Sequence, residues 1–116
     1  MKCHVYVLGR EGTLLAATQA DEAWLGSADI AHRKARTAWC FKLPTGTISD
    51  LSRLDREAHA PLYAIELSNG GLVSFPGGLP IFDAKGEFVG AIGVSGDVVE
   101  NDLAVAQAGV DALKKK

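Results

Sequence analysis

The sequence predicts an α+β fold in which helices flank an antiparallel sheet of about five strands. Short apolar segments are separated by turn-forming residues, which is typical of strands that meet through hairpins. Segments with helical spacing are grouped between and after these strands, which favours this fold over a doubly wound parallel sheet. The predicted element order is β-β-α-α-β-β-β-α. The 116 residues suffice for one core, and a second domain would be unusually small, so we expect a single domain over residues 1–116.

The strands are predicted from short runs rich in β-branched and aromatic residues. Residues 5–8 and 13–17 flank Gly9-Arg10-Glu11-Gly12, which indicates a β-hairpin. In the second half, turn residues separate further candidate strands at residues 63–67, 72–75, 79–82 and 88–94.

The helices are predicted from apolar periodicity and from capping residues. Ser27 is a favoured N-cap for a helix over residues 28–42, which Pro44 ends. Residues 47–50 cap a second, shorter helix towards Ala58. A final helix over residues 101–114 has one apolar face.

Composition excludes several classes of protein. Twelve basic and 14 acidic side chains give a net charge of −2, which argues against nucleic acid as a primary partner. No apolar run approaches the roughly 20 residues that span a bilayer, and the first residues lack the long apolar stretch typical of a signal peptide. Cys3 and Cys40 form no Cys-x-x-Cys pair, so a reducing compartment is expected. We therefore expect a cytoplasmic protein with no membrane segment.

Glycine occurs in residues 74–81 and 90–96 at a density that strands normally avoid. Exposed N–H groups in such loops can form a cradle for an anion, and the start of the last helix would add positive potential. A ligand that carries a carboxylate would suit this geometry. Tight bends and close packing beneath a helix explain the same glycines equally well.

Lys34 lies on the first predicted helix among small residues. Its stem can cover apolar surface with the amine in water, or the amine can reach a ligand carboxylate, and spacing alone favours the first arrangement. Trp24, Trp39 and Phe41 are expected to anchor the core or an interface, although a planar apolar ligand would also suit them. His4, His32 and His59 show no tight metal-binding spacing.

Three ordered motifs resemble the GlcG/HbpS-like family, which includes haem-binding and haem-degrading proteins and the C-terminal domain of PduO-type proteins. The motifs are GSADIA (26–31) with KARTA (34–38), FPGGLPI (75–81) and GAIGVSG (90–96). The resemblance runs from about Val5 to Leu113. It implies the antiparallel sheet with flanking helices, and dimers or larger homo-oligomers.

The resemblance also implies a ligand pocket built from the first helix and the glycine loops. Its expected residues are Lys34, Thr37, Phe41, Gly77, Gly78, Ser95 and Gly96. In this family a helix usually precedes the first strand. Because the first strand is predicted almost at the start of the given sequence, we expect this helix, and any haem ligand that it supplies, to be absent. A haem axial ligand would then come from His32, His59 or His4.

These observations predict a small-ligand-binding protein for haem or a related carboxylated planar molecule. A second hypothesis is a small enzyme of a catabolic operon that acts on a carboxylated metabolite. In it Lys34 or Asp102 moves a proton while loop amides at Gly77–Gly78 and Ser95–Gly96 stabilise an oxyanion. A third is an oligomeric accessory protein whose glycine loops serve subunit packing.

Overall fold

The computed structural model describes residues 2–52 and 61–114. Its elements are β1 (His4–Gly9), β2 (Leu14–Gln19), α1 (Gly26–Phe41), α2 (Thr45–Ser52), a 3₁₀ turn (Ile65–Leu67), β3 (Gly78–Phe82), β4 (Phe88–Ser95) and α3 (Val99–Lys114). The strands form one sheet in the order β2-β1-β4-β3, and every neighbouring pair is antiparallel. The α+β class, the first hairpin, the first and last helices and the last two strands are confirmed.

The expected number of strands is wrong, because the described residues form a sheet of four. Residues 65–67 make a 3₁₀ turn, and residues 72–75 are irregular. The backbone takes positive φ angles at Ala64 (59°), Asn69 (52°) and Gly71 (100°). The angle at Ala64 lies outside the extended region, so the chain turns inside the predicted strand 63–67. Asn69 and Gly71 lie in the turn that was predicted between the two segments.

The helix ends also differ from the prediction. Ser27 lies inside α1 rather than at its N-cap, which is Leu25 and makes no side-chain cap bond. The C-cap is Lys42 in the left-handed conformation, with its N–H bonded to the Ala38 carbonyl. The second helix begins directly after Pro44, and its predicted continuation through residues 53–60 lies outside the described residues.

The two long helices pack on opposite faces of the sheet. A side chain at Gly93 would lie 2.5 Å from the backbone nitrogen of Ala35 in α1, whereas one at Gly109 of α3 would lie 2.8 Å from Ile92. Adjacent residues of a strand point to opposite faces, so Ile92 and Gly93 assign one helix to each face. The apolar core on the α3 side consists of Leu79, Ile81, Ile92, Val94, Ala106 and Val110.

The edge strand β2 is exposed along its whole length, with Leu15 66% exposed. Within the described ranges, the helices are too short or too polar to cross a membrane.

Candidate functional site

Lys34 and Asp102 form a buried ion pair between α1 and α3. Both side chains are almost completely inaccessible, and Lys34 Nζ lies 3.1 Å from Asp102 Oδ2. The amine also donates to the Val94 carbonyl at 2.8 Å and lies 4.8 Å from the centre of the Phe75 ring. The expectation that the amine lies in water is therefore wrong. The sequence put both residues forward as proton carriers, and the fold brings them together.

Burial and pairing act in opposite directions on the pKa of Lys34. Burial lowers the pKa, because a desolvated ammonium is disfavoured, while the charge and hydrogen bond of Asp102 raise it. Burial has the larger effect, and the pKa of Lys34 lies below its ordinary value of 10.5. The other carboxylate oxygen of Asp102 accepts the Asp97 N–H at 3.1 Å, so the same side chain ties the pair to the start of α3.

The Gly77–Gly78 bend lies directly against Lys34. Gly77 has a φ of 129°, and a side chain there would lie 2.6 Å from Lys34 Nζ. A side chain at Gly78 would lie 2.6 Å from Thr45 Cγ2. The Gly78 N–H donates to Thr45 Oγ1 at 2.9 Å, so this amide has a partner inside the protein. Close packing thus accounts for these two glycines without a ligand.

The remaining residues of the expected pocket differ in burial, and each has its own surroundings. Thr37 is buried, and its Oγ1 donates to the Arg33 carbonyl at 2.7 Å and accepts the Val73 N–H at 3.2 Å. Ser95 is buried at the end of β4, next to the residue whose carbonyl accepts from Lys34. Phe41 is half-buried at the end of α1, and Gly96 lies against Cys3 with a φ of 142°.

Glu66 holds the loop that precedes Phe75, a role that sequence reasoning missed. Its Oε2 accepts from Ser74 Oγ at 2.7 Å and from Ser52 Oγ at 3.0 Å. Burial raises the pKa of Glu66, but the hydrogen bonds from Ser74, its own backbone and Ser52 outweigh burial, so the pKa lies below 4.5. No short motif signals contacts between residues so far apart in sequence.

The histidines occupy separate places. His4 is 1% exposed, and its Nε2–H donates to the Trp24 carbonyl at 2.8 Å. His32 is half-buried and stacks on Tyr6 with ring centres 5.0 Å apart. His59 lies outside the described residues. Across residues 2–52 and 61–114, no three His, Cys, Asp or Glu side chains form a metal-binding group.

A solvent-open cavity of about 550 Å³ lies where the end of α1 meets the β1–β2 turn and the start of β4. We call it the α1-end cavity, and its lining residues are Arg10, Trp39, Cys40, Lys42, Glu87 and Phe88. Burial raises the pKa of the Cys40 thiol, although the charge of Arg36 opposes this. Sequence reasoning named Trp39 as an anchor but had no signal that would join it to Arg10 and Phe88.

A second open cavity of about 500 Å³ lies at the start of the chain. We call it the Trp24 cavity, and it is lined by Lys2, Glu22, Trp24, Gly96 and Asp97. Lys2 Nζ forms a 2.9 Å ion pair with Glu22, and Trp24 is 78% exposed.

The fold is a small α+β domain whose helices pack closely on the sheet at glycines, and comparison with known proteins identifies its family. Residues 1–111 match the family described as haem degrading protein HbpS-like. The chain belongs to this family, which confirms the resemblance seen in the motifs.

Relatives support the same assignment. The chain is 36% identical, over 94% of its length and 74% of the relative's, to an uncharacterized 15.0 kDa protein in the dhaT–dhaS intergenic region of Citrobacter freundii. It is 32% identical to the corrinoid adenosyltransferase PduO of Salmonella typhimurium, over 94% of this chain but only 31% of that protein. A crystal structure of a PduOC–haem complex superimposes with a TM-score of 0.85 at 32% identity, over 95% of this chain and 77% of the other.

Proposed function

We propose that the protein binds haem or a related carboxylated planar molecule. The observation that carries this proposal is the match of nearly the whole chain to a relative whose structure is a haem complex. The family description points the same way. The α1-end cavity supports it, because this cavity places Trp39 beside the cations Arg10 and Lys42, and flat anionic ligands are held by aromatic surface together with positive charge.

The residues that hold the ligand are part of the proposal. The set predicted from sequence centres on Lys34 and the glycine loops, with Thr37 and Phe41 on the same helix. A carboxylate that enters there has to replace Asp102 as the partner of Lys34, because the buried amine already has a carboxylate and a carbonyl within hydrogen-bond distance. A ligand that binds in a solvent-open cavity elsewhere does not have to displace a carboxylate of the protein from a buried ion pair.

Bound haem would supply an iron atom that needs an axial donor. Of the described histidines, His32 is better suited than His4 to be this axial donor, because the His4 ring is buried and its Nε2–H is hydrogen-bonded to the Trp24 carbonyl. His59 is the third proposed donor. The stacking of His32 on Tyr6 would hold the ring in one orientation.

A haemin titration of the purified protein at known oligomeric state tests the proposal. We expect a saturable shift of the Soret absorption at one haem per subunit or per dimer. His32→Ala and His59→Ala should be compared with the wild type, and loss of the shifted band identifies the donor. A titration that shows only the spectrum of free haemin contradicts haem as the ligand.

A second candidate function is catalysis on a small carboxylated metabolite. The buried Lys34–Asp102 pair favours it, because burial that lowers the pKa of a lysine is a common way to prepare it for proton transfer. The substrates of the corrinoid adenosyltransferase PduO are not carried over to this chain, because the match spans less than a third of that protein. Small organic acids should then raise the melting temperature of the wild type, and Lys34→Met should abolish any turnover. No stabilisation by any acid of a broad set argues against this function.

We also propose that the chain forms a homo-oligomer, as an accessory protein would. The exposure of β2 along its whole length supports this, since sheet edges are usually covered or paired. Light scattering on the eluted protein should give a mass of a dimer or larger. Leu15→Glu on β2 should lower that mass, and a monomeric wild type would contradict the proposal.

A further inference from the structure

We propose that the α1-end cavity is a binding site for a flat aromatic molecule that carries a carboxylate, with Trp39 and Phe88 as its apolar walls and Arg10 and Lys42 as carboxylate partners. The inference deepens the proposed function and, for a porphyrin ligand, rests on it. It assigns the ligand to a place that the sequence-predicted residues around Lys34 do not include. No histidine is among its described lining residues, so the inference concerns recognition of the ring and the carboxylate and not ligation of iron.

The walls of the cavity are fixed before any ligand arrives. The Trp39 indole N–H donates to the Arg10 carbonyl at 2.8 Å, and Arg10 Nε donates to the Phe88 carbonyl at 3.1 Å. The turn packs directly on the indole, because a side chain at Gly12 would lie 3.0 Å from the Trp39 ring. Three segments of chain are therefore tied together around the opening, and a preformed site loses less entropy on binding.

The charges of the cavity favour an anion. Arg10 and Lys42 face one carboxylate, Glu87, whose Oε2 lies 4.0 Å from Arg10 Nη2 with both side chains more than 60% exposed. Such an exposed pair is weak and screened. Lys42 Nζ lies 5.3 Å from the centre of the Phe88 ring and has no carboxylate within 4.0 Å in the described part of the chain. A cation above an aromatic wall is well placed for a ligand that stacks on the ring and presents a carboxylate at its edge.

The Trp24 cavity has the opposite balance and provides an internal comparison. Its cation, Lys2, is already paired with Glu22 at 2.9 Å, and Asp97 adds a second carboxylate. An anionic ligand that enters there meets more negative than positive charge. The difference between the two cavities favours the α1-end cavity for a carboxylated ligand.

The rest of the lining is compatible with an aromatic ring. Burial raises the pKa of the Cys40 thiol, so at neutral pH it presents a neutral, polarizable surface. A volume of about 550 Å³ is in the range of small-molecule sites. Porphyrins with propionate groups and simple aromatic acids share the required chemistry, and the experiment distinguishes between them.

Binding of haemin, metal-free protoporphyrin IX and 2-naphthoate should be measured for the wild type, Arg10→Gln, Lys42→Gln and Lys2→Gln. The metal-free porphyrin presents the plane and the carboxylates without iron. We expect Arg10→Gln and Lys42→Gln each to weaken binding of at least one probe about fivefold or more. The matched control Lys2→Gln removes the same charge from the other cavity and should stay within about twofold of the wild type. Thermal melts show that each variant is folded.

The possible outcomes separate the α1-end site from haem binding itself. If the wild type binds haemin and both α1-end variants bind it equally well, the proposed function stands and the α1-end site is overturned. The site is likewise overturned if Lys2→Gln has the largest effect. If 2-naphthoate binds in a manner that depends on Arg10 and Lys42 while neither porphyrin binds, the site stands and haem is overturned as the ligand. If no probe binds the wild type, both proposals fail.

Discussion

Lys34 and Lys42, about two helical turns apart along α1 and its C-cap, differ in burial and in charge pairing. Lys34 is completely buried between α1 and α3 and is paired with Asp102, whereas Lys42 caps the end of the helix beside an open cavity. The charge of Lys34 is neutralised inside the protein and holds two helices together. The charge of Lys42 is available to a ligand. If the proposed site is right, one helix provides both a structural ion pair and a charge that recognises a ligand, and burial separates the two roles.

The largest effect is expected from breaking the buried pair. Asp102→Asn leaves the Lys34 ammonium without its carboxylate, and we expect the free energy of unfolding to fall by about 3–5 kcal/mol. Urea denaturation at neutral pH measures the change. The double variant Lys34→Met/Asp102→Asn removes both charges and should recover part of the loss.

A result in which the single and double variants lose the same free energy would contradict the pairing. It would mean that Asp102 stabilises the fold through its hydrogen bond with the Asp97 N–H, and that its ion pair with Lys34 contributes nothing to the free energy of unfolding.

The glycine bend against Lys34 gives the next largest effect. Gly77→Ala combines a φ of 129° with a side chain 2.6 Å from Lys34 Nζ, and we expect a loss of about 2–4 kcal/mol. Gly86→Ala is the matched control, because Gly86 also has a positive φ (82°) but no heavy atom within 4 Å of the added carbon. It should lose only about 1 kcal/mol. Equal losses at both positions would show backbone strain alone and no close packing on Lys34.

The pH dependence of stability offers a smaller and more specific comparison. Because the pKa of Lys34 in the folded protein lies below 10.5, the unfolded chain binds more protons in that window, and stability rises with pH towards 10.5. The contribution of Lys34 is complete above its unfolded pKa and declines as pH falls through the folded one. Denaturation of the wild type and Lys34→Met at several alkaline pH values should show their difference in stability growing with pH in favour of the wild type. A difference that shrinks would show that Asp102 dominates over burial.

The smallest effect on stability is expected at the α1-end cavity. Lys42→Gln and Arg10→Gln remove exposed charges, so each should change the free energy of unfolding by less than about 0.5 kcal/mol. The same denaturation experiment measures this. A loss near that of Asp102→Asn would show that these side chains support the fold and would weaken their assignment to ligand recognition.

Most of the fold follows from local patterns. Turn residues and β-branched runs located β1, β2, β3 and β4, and helical spacing located the two long helices. The exceptions are residues 63–67 and 72–75, where apolar residues look like strands. A positive φ at Ala64 turns the first segment. The second segment is irregular, and its Val73 N–H donates to Thr37 Oγ1. Local sequence pattern cannot show whether a short apolar segment will form a strand or a loop, because tertiary contacts such as the hydrogen bonds of Glu66 determine the conformation.

The candidate site was less predictable. Sequence spacing favoured a Lys34 amine in water over one that reaches a ligand carboxylate, because a lysine on a helix is usually exposed. Only the fold shows that Asp102, from the helix on the other side of the sheet, meets this amine. The α1-end cavity joins Arg10, Trp39 and Phe88 from three distant parts of the chain. Such a site has no sequence spacing to recognise. The family motifs identified the class of protein but not this cavity.

The most direct test of the account is an amide ¹H–¹⁵N NMR spectrum recorded during titration with metal-free protoporphyrin IX. If the ligand enters the α1-end cavity, the Trp39 indole signal and the amide signals of Arg10, Lys42 and Phe88 should shift together and saturate. Signals of Gly77, Gly78 and Ser95 should stay in place. Shifts centred on those three residues would instead place the ligand at the Lys34–Asp102 pair and contradict the division of roles between the two lysines.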